Sequence, residues 1–158
     1  LEMYLPQHGT SVQKTDKFTF RSSLGTSVVY NWKITNGSSS FYEIQDCMKE
    51  FREVRPYFYE DYYPLTGSGD ITGDNIWMAY QLYRPSDKSG FVVAFRREAC
   101  PDKTHTVKLS GLDPDAVYSI TNKDTGETVS KSGLELAEGF VLTLDQPRSS
   151  LLLKYRAE

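Results

Sequence analysis

Few residues in this chain combine the types and spacing that chemistry needs. Glu60-Asp61 is the carboxylate pair beside an aromatic cluster, the neighbourhood in which a sugar bond is cleaved. Adjacent residues in an extended segment point to opposite faces, so these two cannot flank one bond. The pair reads instead as solvated or bonded at an interface. Ser22-Ser23 and His8 supply a nucleophile and a base, but no third group is placed to orient them. There is no glycine-rich phosphate loop, no HExxH and no GxSxG. Cys47 and Cys100 are the only cysteines, and two such distant residues make neither a disulfide framework nor a metal site, so both read as free thiols. His8 and His105 lack the spacing of zinc ligands. Neither a metal nor a cofactor is expected. Two doublets remain, His8-Gly9 and Asn31-Trp32. Each follows a predicted strand at its carboxyl end, where α/β barrels bind their substrates. His8, Gly9, Asn31 and Trp32 are therefore the candidate substrate-binding residues, and a loop residue without a ligand is the competing reading of each.

The elements that would position them alternate. Leu1 to Leu5 is a strand candidate ending at Pro6. Asp16 can cap a short helix through Phe18, Phe20 and Leu24, with Gly25 as its stop. Ser27 to Tyr30 is a β-prone run of the kind buried on both faces. Ser40-Phe41-Tyr42-Glu43 has the form of a capping box. Phe41, Ile44, Met48, Phe51, Val54 and Phe58 then recur at helical spacing with charged residues between them. Strand, helix, strand, helix is the order of βα units in a parallel sheet. Two such units cannot close a sheet with both faces covered.

The stretch from Arg55 to Thr66 changes the pattern. It packs Tyr57, Phe58, Tyr59, Tyr62 and Tyr63 between Pro56 and Pro64. Each proline disfavours the α conformation in the residue before it, so the incoming helix ends or kinks and the chain leaves extended. Aromatic glue between layers and a sugar-stacking platform are the two readings of this cluster. After it the period is two. Strands are predicted at Ile76–Tyr83, Phe91–Phe95, Thr106–Leu109, Val117–Thr121, Thr128–Lys131, Leu134–Leu136, Phe140–Leu144 and Leu151–Tyr155, with a hairpin turn at Asp124 to Glu127. Regular short strands with turn residues between them indicate an antiparallel sandwich. Trp77 and Phe95 fall on central strands and should be buried.

At 158 residues the chain suits one domain, or one domain with a partial second. A net charge of −3 gives no electrostatic footprint for nucleic acid. The apolar runs are far short of a membrane span. Nothing fixes the compartment, so cytoplasmic and exported settings both stay open. The opening Leu1 to Pro6 reads as the inside of an element, as expected of a fragment or of a mature or excised region.

Several blocks in this order resemble the last part of α-galactosidases of glycoside hydrolase families 27 and 36. They are Phe20-Arg21-Ser22-Ser23-Leu24-Gly25, Phe51 to Tyr57, Asp61-Tyr62-Tyr63-Pro64-Leu65-Thr66, Trp77 to Pro85, Gly90 to Arg97 and Gly111 to Tyr118. The resemblance implies an α+β, mainly β chain: two terminal βα units of a (β/α)8 barrel followed by an antiparallel β-sandwich. Residues 1–59 would be the barrel units, 60–70 an aromatic linker and 71–158 the sandwich. It also implies a retaining hydrolase of α-galactosides, in which one aspartate attacks the anomeric carbon and another is acid and then base. The motifs that carry those aspartates in the family do not occur in this sequence, so the chain alone is expected to be inactive. Its implied partners are the rest of the barrel and, through the parent, α-galactoside sugars. Barrel strands separated from their ring have open edges, which leads to an expectation of self-association through residues before Asn36. The alternative is a self-standing sandwich that binds carbohydrate or a partner through its aromatics.

Overall fold

The computed structural model describes residues 16–27, 41–67 and 73–158. The chain divides into two compact units, Leu1–Tyr59 and Glu60–Glu158.

The described part of the first unit is helical. Helix α1 is Lys17–Ser22, capped by Asp16, whose side chain accepts from the Thr19 backbone N–H at 2.8 Å. That bond satisfies one of the N–H groups a helix start leaves without a partner. The helix stops at Ser22 rather than running on to Leu24, and the Ser22 and Ser23 hydroxyls turn back onto carbonyls of its last turn. Helix α2 is Phe41–Val54, and it gives way to a 3-10 turn over Arg55–Tyr59. The change falls where Pro56 disfavours α geometry in the residue before it. Phe20, Leu24, Cys47 and Phe51 form the small core of this unit, with Met48 and Phe58 half-buried against it. The predicted strands at Leu1–Leu5 and Ser27–Tyr30, the Ser40 cap and the Phe41 side chain lie wholly or partly outside the described residues.

The second unit is antiparallel. Its strands are β1 (Asp61–Pro64), β2 (Trp77–Arg84), β3 (Ser89–Arg96), β4 (Thr104–Val107), β5 (Val117–Asn122), β6 (Thr128–Ser132), β7 (Phe140–Thr143) and β8 (Ser149–Ala157). Six of them form one sheet in the order β1-β2-β3-β8-β5-β6, and β4 pairs with β7. The aromatic stretch does leave extended, as the edge strand β1, with Tyr63 opposite Gln81 and Pro64 opposite Tyr80. One face of the large sheet carries Trp77, Ala79, Val92, Ala94, Ile120, Leu151 and Leu153, which share a core with Val107 of β4 and Leu142 of β7. The two sheets therefore make a lopsided sandwich. The opposite face carries Leu82, Phe91, Val93, Phe95 and Leu152, also buried, so β3 is buried along its whole length. Trp77 and Phe95 are buried as expected.

One element is of the wrong type in the sequence reading. Leu134–Leu136 is not a strand but part of helix α3 (Gly133–Glu138). Ser132 accepts from the Glu135 backbone N–H while the Glu135 carboxylate accepts from the Ser132 backbone, a complete capping box. Lys131 completes the arrangement, and together these bonds pull the Glu135 carboxyl down to about 2. No described helix is long and apolar enough to cross a membrane.

Candidate functional site

His8, Gly9, Asn31 and Trp32 lie outside the described residues, so the structure does not bring them together or separate them. The remaining chemistry-bearing groups can be placed one by one. Ser22 donates to the Thr19 carbonyl at 2.8 Å and Ser23 to the Phe20 carbonyl at 2.9 Å. Both hydroxyls serve the helix end, which is not how a nucleophile is held. Cys47 is buried, and burial, with Glu50 adding to it, pushes its thiol up to about 11. A thiol in that state is inert. Cys100 is also free and buried. Asp61 accepts from the Tyr63 hydroxyl at 3.2 Å, a local contact that carries no catalytic geometry. Among the described residues no group of His, Cys, Asp and Glu could hold a metal ion.

The aromatic residues sort into two sets. The first builds a polar spine inside the sandwich. The Gln81 amide is fully buried and pairs with the backbone of Ser110: its nitrogen donates to the Ser110 carbonyl at 2.9 Å, and its oxygen accepts the Ser110 N–H at 2.8 Å. The same nitrogen donates to the Tyr155 hydroxyl at 2.8 Å, which donates in turn to the Leu82 carbonyl at 3.0 Å. Tyr83 stacks on Tyr155, and Tyr118 meets it edge-on. The Tyr118 hydroxyl accepts the Asp113 N–H at 3.0 Å. Burial holds the Tyr155 and Tyr83 phenols above their ordinary range, so they act here as neutral hydrogen-bonding groups. Gly90 makes room for this spine, since a Cβ there would meet the Leu82 carbonyl and the Tyr155 hydroxyl.

The second set faces outward. Tyr62 of β1 stacks on Tyr80 of β2 with ring centroids 5.5 Å apart and planes 29° from parallel. Tyr62 is 44% exposed, and Met78, two residues before Tyr80 on the same face of β2, is 37% exposed. Tyr62 and Tyr80 thus form a stacked, partly open tyrosine pair on this face of the sheet. The run of tyrosines pointed to this pair only in part, because Tyr80 lies in a strand that otherwise reads as core. His105 lies against the buried Trp77 ring, with centroids 5.9 Å apart. It is a packing residue, not a ligand.

No protein-family model matches the chain, and no curated protein matches it. Solved structures do. The chain shares its fold with part of several α-galactosidases. A variant of the family 36 α-galactosidase from Geobacillus stearothermophilus, solved with 1-deoxygalactonojirimycin, matches over 89% of this chain at a TM-score of 0.66 and 17% identity. The galactosidase domain of an α-galactosidase–sucrose kinase matches over 89% at 0.64 and 19% identity. The α-galactosidase from Lactobacillus brevis matches over 89% at 0.65 and 16% identity. The chain spans only about a fifth of each, namely 19%, 19% and 20% of those chains.

Proposed function

We propose that this chain is the C-terminal region of a retaining glycoside hydrolase that acts on α-galactosides, with residues 1–59 as the last βα units of the catalytic barrel. The observation that carries the reading is the match over 89% of the chain, helical unit included, to three enzymes that are all α-galactosidases. A self-standing sugar-binding sandwich has no use for that helical unit. The sandwich braces the barrel and supplies no catalytic group. The nucleophile and the acid–base carboxylate come from earlier barrel strands. His8-Gly9 and Asn31-Trp32 stand at the rim of the sugar site.

The test is to express the complete coding region that contains this sequence and to assay it beside the 158-residue chain on an aryl α-galactoside. Turnover by the complete protein alone is the expected result. Turnover by the short chain above a contaminant control would overturn the reading, which places both catalytic carboxylates outside this chain. An inactive complete protein whose residues 60–158 bind sugar would establish the sandwich as a binding module instead.

A further inference from the structure

One edge of the large sheet is β6, and its hydrogen-bonding phase can be read from its neighbour. The Asn122 N–H donates to the Glu127 carbonyl and the Gly133 N–H donates to the Ala116 carbonyl, at the two ends of the β5–β6 ladder. Antiparallel bonding alternates, so Val129 and Lys131 are the residues that bond inward, to Ile120 and Tyr118. The backbone groups of Thr128, Ser130 and Ser132 therefore point away from the sheet. The Ser132 N–H is taken by the Glu135 carboxylate at 2.8 Å. Those of Thr128 and Ser130 find no partner among the described residues. Val129 is 48% exposed at this edge.

We propose that β6 pairs with β6 of a second copy, antiparallel about a two-fold axis through Val129. The geometry favours this register over its neighbours. It sets Thr128 opposite Ser130 of the partner subunit, joining the outward groups of both in narrow pairs. By symmetry this happens twice, giving four backbone hydrogen bonds. It leaves the Ser132 cap untouched. It sets Val129 against its own counterpart in a non-hydrogen-bonded pair, where side chains lie closest. It also sets Glu127 opposite Lys131 of the partner subunit, twice, so the charges are complementary. Centring the axis on Ser130 instead would need the Ser132 N–H that Glu135 already holds. Strands this short bury less than the roughly 1,200 Å² of a standard stable interface. The dimer is therefore weak and forms at high concentration. This inference is independent of the glycosidase reading.

The test is sedimentation equilibrium of the 158-residue chain across a concentration series, with circular dichroism melting as the check of fold. The weight-average mass should rise from 18.0 kDa toward twice that value. Ser130→Pro removes an outward N–H that makes no bond within the chain, so it should keep the melt and lose the rise in mass. Glu127→Lys and Lys131→Glu should each weaken association about tenfold by placing like charges opposite. The double variant should restore it. If Ser130→Pro does not fold, the charge series decides the matter alone. A monomer at millimolar concentration, a dimer indifferent to Ser130→Pro, or a double variant no better than the singles would each overturn the proposal.

Discussion

The helical unit and the sandwich each bury an arginine, and they satisfy it in opposite ways. In the helical unit the Arg21 side chain is wholly buried, and it meets the Glu50 carboxylate through two parallel bonds of 2.8 Å. That is a fork-to-fork ion pair joining α1 to α2. In the sandwich, Arg96 is 6% exposed and its guanidinium is held by backbone carbonyls. It donates to Cys100 at 3.1 and 2.9 Å, to Pro101 at 3.3 Å, to Leu144 at 3.0 Å and to Asp145 at 2.8 Å. The first solution joins two side chains directly. The second depends on the path of two loops, and in exchange holds the end of β3, the turn before β4 and the segment after β7 together. A pair can be broken from either side, whereas a cage of carbonyls can be broken only at the arginine.

Breaking the pair should have the largest effect. Glu50→Ala removes one half of a buried ion pair, and breaking such a pair from one side costs about 3–5 kcal/mol. The pair itself is not the source of that figure, since well-packed apolar residues can replace such pairs at little cost. Arg21→Met with Glu50→Met should therefore be less destabilised than Glu50→Ala in urea unfolding. A double variant as unstable as the single would mean that packing of the arginine stem, not its charge, is what the site needs.

Arg96→Lys is the matching test in the sandwich. A lysine keeps the charge but has a single ammonium, which cannot span carbonyls set out for a planar fork. At least one carbonyl is left without a donor, and a buried group in that state costs about 1–3 kcal/mol. The loops bearing Cys100 and Leu144 should also exchange their amide protons faster in the Arg96→Lys variant than in the parent. A loss under about half a kcal/mol would show that water takes over the carbonyls, and the contrast with Arg21 would then be one of solvent access alone.

The contrast also separates what the sequence could show from what it could not. Local signals were legible. Asp16 announced the start of α1, Pro56 the end of α2, and the two β-prone runs at Trp77 and Phe91 the central hairpin. The exception was α3, whose Leu134 and Leu136 alternate like a strand. The signal that corrects it, Ser132 three residues before Glu135, is itself local. Long-range satisfaction left no trace. Glu50 is separated from Arg21 by 29 residues and Tyr155 from Gln81 by 74. Nothing in the sequence marks Arg96 as caged, because acceptors on the backbone have no sequence signature. The candidate sugar-site residues fall outside the described segments, and the outward Tyr62–Tyr80 pair was only half visible because pairing register is not written in either strand.

Asp87 supplies the smallest effect and the clearest boundary to the comparison, since it belongs to an ion cluster partly exposed to solvent. It follows β2, and its carboxylate accepts from Arg84 at 2.9 and 2.7 Å and from the Ser89 hydroxyl at 2.6 Å, with Arg156 at 3.8 Å. The bonds from Arg84 above all hold its carboxyl well below the ordinary carboxylate value of 3.8. A depressed folded value means that the contribution to stability is fully present above the unfolded value and is lost as pH falls through the folded one. Its side chain is 26% exposed, so solvent screens the cluster and the gain is modest. Asp87→Asn should accordingly melt below the parent near neutrality, and the gap should close as pH falls from about 5 to about 2. Asp113, held low by Lys88, and Glu135 lose their own contributions over the same range. The acid limb of the parent alone is therefore not diagnostic, and the difference between the two melting curves is the quantity to follow. A gap that stays constant with pH would mean that the turn after β2 depends on the shape of the Asp87 side chain and not on its charge.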